Sequence, residues 1–249
     1  MQIELKENEV IDDLKINRLK IIQNKKFFKF GIDAVLLSRY ASSAVRKNSS
    51  LLDLGCGNAI IPLLLSAFTS CQNINGLELL ESCATLAEKN VQLNCLENKI
   101  KIIKGDIKNV SSYFQKKSFD IITSNPPYAK CLPKENINNS EKQIARKEIF
   151  CNAEDLIKAV SYLLKDNGRF FLIHRPNRLQ EILILLNKYK MAAKKLCFVT
   201  PFSNEKPSMF LLEAKKNCDS EILIEKNICI YEKPGLYSAQ VKKIYEGII

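Results

Sequence analysis

From Ser50 to Tyr189 the chain alternates between short apolar runs and segments of helical period, and this alternation narrows the fold more than any other feature. Ser50–Leu54, Asn73–Leu77, Ile100–Lys104, Phe119–Thr123 and Arg169–His174 read as strands buried in a sheet. Between and after them, Ala59–Phe68, Glu81–Leu93, Ile107–Gln115 and Leu179–Tyr189 read as helices. Asn152, with Asp155 three residues on, has the form of a capping box for a helix over 153–165, closed by Asn167-Gly168. Strand–helix alternation predicts a mostly parallel sheet with helices on both faces. The strand candidates 195–200, 208–214 and 222–231 have no helices between them and predict an antiparallel edge.

Residues 9–23 alternate loosely, as a ribbon turning near Lys15–Asn17 would. Asp33 is placed to cap a helix that carries Leu36, Leu37, Tyr40, Ala41 and Ala44 on one face. The expected organisation is one α/β domain over 1–249, with 1–49 as an extension and 50–249 as the core. The least regular stretch, 129–154, is long enough to be a functional or mobile loop.

No run approaches the ~20 apolar residues that cross a bilayer, and Met1–Glu7 lacks the basic start and apolar centre of a signal peptide. A cytoplasmic protein is expected. The 9 cysteines are scattered without a Cys-x-x-Cys pair, so they predict neither a disulfide framework nor a metal site. The single histidine, His174, argues against histidine metal chemistry and a Ser-His-Asp triad.

The net charge of +11 suggests a polyanionic partner, nucleic acid above all. Lys15, Arg18, Lys20, Lys25, Lys26 and Lys29 fall between Leu14 and Ile32 without an acidic residue. Phe27, Phe28 and Phe30 are interleaved with them, which suits phosphate contact with base stacking or, more simply, core packing.

The first strand runs into Gly55-Cys56-Gly57-Asn58 and then a helix, the arrangement that holds nucleotide-like cofactors. A dinucleotide fingerprint wants a third glycine where Ile60 stands, and Asp53 precedes the turn. Both features point to a cofactor without a pyrophosphate, its amino group served by Asp53 and backbone carbonyls. Glu78 ends the second strand, where a carboxylate accepts both hydroxyls of a ribose. Asp106 follows the third, placed to accept from an adenine amine, to cap the next helix, or both.

Asn125-Pro126-Pro127-Tyr128 closes the fourth strand. Proline fixes φ and has no N–H, so this loop presents acceptors without competing donors. The Asn125 side-chain oxygen and the Pro126 carbonyl together fit a planar –NH2 group, and Tyr128 fits a flat substrate by stacking. An amine held this way loses conjugation as it attacks an electrophilic methyl group.

Taken together, Asp53-Leu-Gly-Cys-Gly57, Glu78, Asp106 and Asn125-Pro-Pro-Tyr128 resemble the class I S-adenosylmethionine-dependent methyltransferases that act on exocyclic or amide nitrogens. The resemblance is nearest to the bacterial tRNA1(Val) adenine-37 N6-methyltransferases. It extends to Phe30-Gly-Ile-Asp33, Ile144-Ala-Arg-Lys-Glu148, Gly168–Arg175 and Tyr231…Gly235-Leu-Tyr237, with Lys147 where a histidine is expected. It implies a Rossmann-like, mostly parallel seven-stranded sheet with an antiparallel edge. It also implies S-adenosylmethionine held by Asp53, Gly55, Gly57, Asn58, Glu78 and Asp106, and adenine presented to Asn125, Pro126, Pro127 and Tyr128. The tRNA phosphates would meet Lys25, Lys26, Lys29, Lys130, Lys134 and Arg146. No metal, membrane or obligate protein partner is implied.

Release-factor glutamine methyltransferases share Asn-Pro-Pro-Tyr, but they carry a larger domain ahead of the glycine turn than the 1–49 extension here. Methylation of ribosomal RNA or DNA, and an RNA-binding protein on an inactive methyltransferase scaffold, are the remaining alternatives.

Overall fold

The computed structural model describes residues 4–24, 31–127, 152–219 and 221–246. The N-terminal ribbon is an antiparallel hairpin of β1 (Glu9–Asp13) and β2 (Lys20–Asn24), with Ile11 opposite Ile22. Helix α1 (Ile32–Ser42) follows. Its N-cap is Gly31 rather than Asp33, which lies in the first turn and accepts from the Ala34 amide at 2.9 Å. A carboxylate there still faces the positive end of the helix.

The main sheet is built from β3 (Ser50–Leu54), β4 (Asn73–Glu78), β5 (Ile100–Lys104), β6 (Phe119–Ser124), β7 (Leu164–His174), β8 (Met191–Thr200) and β9 (Met209–Lys216). The two-residue strands β10 (Leu223–Ile224) and β11 (Ile228–Cys229) extend it to nine. The spatial order is β10-β8-β9-β7-β6-β3-β4-β5, with β11 also on β8. β7, β6, β3, β4 and β5 are parallel to one another, and β9 runs antiparallel between β7 and β8. The predicted antiparallel edge is therefore only partly antiparallel, because β10 and β11 both pair parallel to β8. A separate hairpin, β12 (Tyr231–Lys233) with β13 (Leu236–Tyr237), leads into α6 (Ala239–Glu246).

The other helices are α2 (Ile60–Phe68), α3 (Glu81–Leu93), α4 (Ala153–Leu163) and α5 (Leu179–Lys188). The sheet separates two cores, and successive strand residues divide between them as the pleat requires. Leu51, Ile121, Phe171 and Leu211 pack with α1 and α2, together with Leu14, Leu19 and Ile21 of the ribbon. Leu52, Ile122, Phe170, Leu172 and Phe210 pack with α4 and α5. The fully buried Phe170, Phe171 and Phe210 anchor this layering.

The capping box at α4 is present: the Asp155 amide donates to Asn152 Oδ1 at 2.9 Å, and the Asp155 carboxylate reaches back to the Asn152 amide. The helix does not end at Asn167-Gly168, however. It ends at Leu163, and β7 begins at once, pairing Leu164 with Phe119 and then, after a register shift, Arg169 with Ile121. Asn167, at φ 62°, lies in that irregular stretch. The helix expected over Ile107–Gln115 is a 3-10 segment, Ile107–Ser112, interrupted by non-helical Asn109.

Candidate active site

The three strand ends singled out for a cofactor lie side by side, because β3, β4 and β5 are consecutive parallel neighbours. β6 occupies the other flank of β3, so Asn125, Pro126 and Pro127 leave the sheet at the same edge. Open α/β sheets bind ligands outside the carboxyl ends of their strands.

The turn after β3 takes two left-handed residues, Gly55 at φ +74° and Gly57 at φ +56°. Among the described residues a Cβ at either would meet nothing within 4 Å, so the turn faces space that a ligand can enter. The Gly55 and Cys56 amides both donate to the Leu77 carbonyl, at 2.9 and 3.1 Å, which straps the turn to β4. Ala59 is also left-handed, at φ 67°, and α2 starts immediately after it. Without a glycine's freedom, that conformation costs roughly 1–2 kcal/mol and has to be held by its surroundings.

Glu78 is buried at the end of β4, with one oxygen on each of two amides: Gly57 at 2.9 Å and Leu80 at 2.9 Å. Burial raises its pKa above the ordinary carboxylate value, and the amides oppose that shift. The carboxylate keeps acceptor capacity for a ligand. Asp106 caps the 3-10 segment by accepting from the Lys108 amide at 2.9 Å, with the Lys108 ammonium 3.6 Å away. The capping role foreseen for it is thus present.

Asp53 is fully buried on β3. Its Oδ1 accepts from the Thr123 hydroxyl at 2.7 Å, and its Oδ2 has no hydrogen-bond partner among the described residues. Burial pushes its pKa up to about 8, the Thr123 bond opposes the shift, and the charge of Glu78 adds to it. One residue on, the Ser124 hydroxyl donates to the Leu54 carbonyl at 2.8 Å. Two hydroxyls of β6 therefore bolt it to the end of β3 just before Asn125. Nothing in the sequence pattern singles out Thr123 or Ser124, because their partners lie across the sheet, 70 residues away in sequence.

His174 ends β7 at this edge, buried against Phe210, and its Nδ1 accepts from the Arg175 amide at 2.8 Å. Burial, together with the Arg178 charge, lowers its pKa to about 4, so it is neutral. Tyr128, Lys25, Lys26, Lys29, Lys130, Lys134, Arg146 and Lys147 lie outside the described residues, as do Phe27, Phe28 and Phe30. Among the described residues no group of three or more His, Cys, Asp or Glu could hold a metal ion. No helix among them is long and apolar enough to cross a membrane.

The family model described as "Methyltransferase small domain" matches residues 31–196, two thirds of the chain, including every strand end described above. The chain belongs to this methyltransferase family. It is similar to a protein from Porphyromonas gingivalis, 26% identical over 244 residues that cover 94% of each chain. It is also similar to one from Flavobacterium psychrophilum, 28% identical over 233 residues, 92% of this chain and 97% of that one. Both carry the name tRNA1(Val) (adenine(37)-N6)-methyltransferase. A solved structure described as a predicted O-methyltransferase, from Agrobacterium tumefaciens, matches the fold with a TM-score of 0.69 at 17% identity, covering 86% of this chain and 96% of that one.

Family and fold imply S-adenosylmethionine as the methyl donor, and the residues of this methyltransferase fit it. The open turn at Gly55 and Gly57 admits the backbone-close approach of such a ligand. The Asp53 oxygen without a partner among the described residues is a buried acceptor suited to a cation, and this donor carries both a sulfonium and an ammonium.

Proposed function

We propose that this methyltransferase transfers a methyl group to N6 of an adenine in tRNA, at position 37 of tRNA1(Val). The observation that carries the reading is the neighbourhood at one sheet edge: the Asn125-Pro126-Pro127 exit of β6, whose two prolines have no N–H, beside the glycine turn, with Thr123 and Ser124 bolting the two strands together. The names of the relatives from Porphyromonas gingivalis and Flavobacterium psychrophilum, and the net charge of +11, support RNA as the substrate. The cytoplasm is the compartment this reading assigns.

In this reading Asp53 meets the ammonium of the donor, Glu78 its ribose hydroxyls and Asp106 its adenine. Bound S-adenosylmethionine supplies an electrophilic methyl carbon on sulfur. The target adenine is splayed out of the anticodon loop and stacks on Tyr128. The Asn125 oxygen and the Pro126 carbonyl accept the two N6 hydrogens and turn the nitrogen lone pair out of the ring plane toward the methyl carbon. S-adenosylmethionine held by Asp53, Glu78 and Asp106 would supply its methyl group to this nitrogen and would be left as a neutral thioether. N6 then loses a proton to water, so no strong general base is needed. Pro127 fixes the exit direction. Lys25, Lys26, Lys29, Lys130, Lys134 and Arg146 hold phosphates.

The test is methyl transfer to a tRNA1(Val) transcript, its A37→G version, ribosomal RNA and a release factor in parallel, followed by nucleoside mass spectrometry. N6-methyladenosine in the first transcript alone is expected. Equal methylation of both transcripts, or label on release factor only, contradicts the reading.

A further inference from the structure

The turn that follows β3 has a support outside the methyl-transfer strands. Asn90, on α3, is fully buried although it carries an amide. All of its donor capacity is spent on two separate pieces of chain. Its Nδ2 donates to the Ile22 carbonyl at 3.1 Å and to the Asn58 carbonyl at 3.0 Å, and its Oδ1 accepts from the Ile22 amide at 2.6 Å. Ile22 belongs to the N-terminal hairpin, and Asn58 to the glycine turn.

One turn further on, at the C-cap of α3, Asn94 repeats the first half of this arrangement. It accepts from the Lys20 amide at 2.9 Å and donates to the Lys20 carbonyl at 2.8 Å. The two side chains, at i and i+4 on one helix face, satisfy β2 as a neighbouring strand would. Lys89 adds an ion pair to Glu9 of β1 at 3.0 Å. The hairpin is thus clamped along α3 at several points, but of the two amides only Asn90 also reaches the turn. Its bond falls on the carbonyl just before Ala59, the left-handed, non-glycine residue whose conformation has to be held from outside.

We propose that Asn90 is a positioning residue that links the N-terminal hairpin to the cofactor turn, so that docking of the hairpin and the shape of the turn at Gly57–Ala59 depend on each other. The consequence rests on the cofactor reading of that turn. A methyl donor bound there tightens the hairpin, and a hairpin pulled away loosens the donor. Because the hairpin leads toward the basic stretch at residues 25–29, this link gives RNA engagement a route to the cofactor.

Asn94 supplies the matched control, since it clamps the same strand without touching the turn. Calorimetric titration with S-adenosylhomocysteine is done on wild type, Asn90→Ala and Asn94→Ala. Asn90→Ala is expected to weaken binding about ten-fold or more, and Asn94→Ala to leave it within about two-fold. Equal weakening in both variants, or none in either, overturns the link. Wild-type protein that fails to bind overturns the cofactor reading with it.

Should Asn90→Ala not fold, Asn90→Asp keeps the size and the acceptor and removes both donors, and the same comparison applies. Wild-type protein alone gives an independent readout in hydrogen exchange of the Ile22 amide. Saturating S-adenosylhomocysteine is expected to slow that exchange by about three-fold or more. An unchanged rate contradicts the proposal.

Discussion

The two flanks of β3 present different chemistry to whatever enters the crevice. At the end of β3 and on its β4 side stand two buried carboxylates: Asp53, on β3 itself, has an oxygen without a partner among the described residues, and Glu78 is spread across two amides. On the β6 side the chain leaves as Asn125-Pro126-Pro127, neutral and poor in donors, with its root fixed by two hydroxyls. A cationic, ribose-bearing donor suits the first flank, and an uncharged aromatic amine suits the second. The contrast teaches that binding of the donor and activation of the acceptor are separable, so substitutions on the two sides should fail in different ways.

The largest effect is expected on the β6 side. Asn125→Ala should lower methyl transfer by ~100-fold or more, as loss of one transition-state hydrogen bond does. Calorimetry should find its S-adenosylhomocysteine affinity within about two-fold of wild type. A matching loss of affinity would merge the two flanks.

Glu78→Ala comes next. It strips the Gly57 and Leu80 amides of their acceptor, at about 1–3 kcal/mol each if they stay dry. The expected result is a roughly 10- to 100-fold weaker S-adenosylhomocysteine affinity.

Asp53 sharpens the contrast through pH. Its folded pKa of about 8 lies above the ordinary 3.8, so the fold favours the protonated form. That contribution to stability is complete below the unfolded value and is lost as pH rises through the folded one. Asp53→Asn removes the dependence, so its melting temperature relative to wild type should rise between about pH 6 and about pH 8.5. A cationic donor prefers the ionised carboxylate, so the affinity advantage of wild type over Asp53→Asn for S-adenosylmethionine should grow over the same interval. A flat ratio would remove Asp53 from cation binding.

The smallest effect is expected for Thr123→Val, which keeps the shape but deletes the hydroxyl on Asp53. A loss of about 1 kcal/mol in stability, with no change in fold, is the expected outcome of a denaturant titration.

The strand ends were legible because each is an apolar run cut by Gly, Glu or Pro, and Ser50–Leu54 and Ile100–Lys104 fall where the sequence pattern puts them. Asn167-Gly168 misled because the pair that closes a helix also suits an irregular strand, and only the pairing of Leu164 with Phe119 distinguishes them. The direction of β10 and β11 was hidden for a similar reason: periodicity marks a strand but not its partner. Asn90 left a faint trace, a polar residue on the otherwise apolar face formed by Ala84, Ala87 and Val91. What it bonds to lies 68 residues away in Ile22 and 32 away in Asn58, beyond any local pattern.

The division between the flanks is tested most directly by single-turnover methylation of the tRNA1(Val) transcript at saturating S-adenosylmethionine, comparing Glu78→Ala with Asn125→Ala. The account predicts that saturation restores Glu78→Ala to within about five-fold of wild type and leaves Asn125→Ala deeply impaired. Recovery of Asn125→Ala, with Glu78→Ala still impaired, would contradict it.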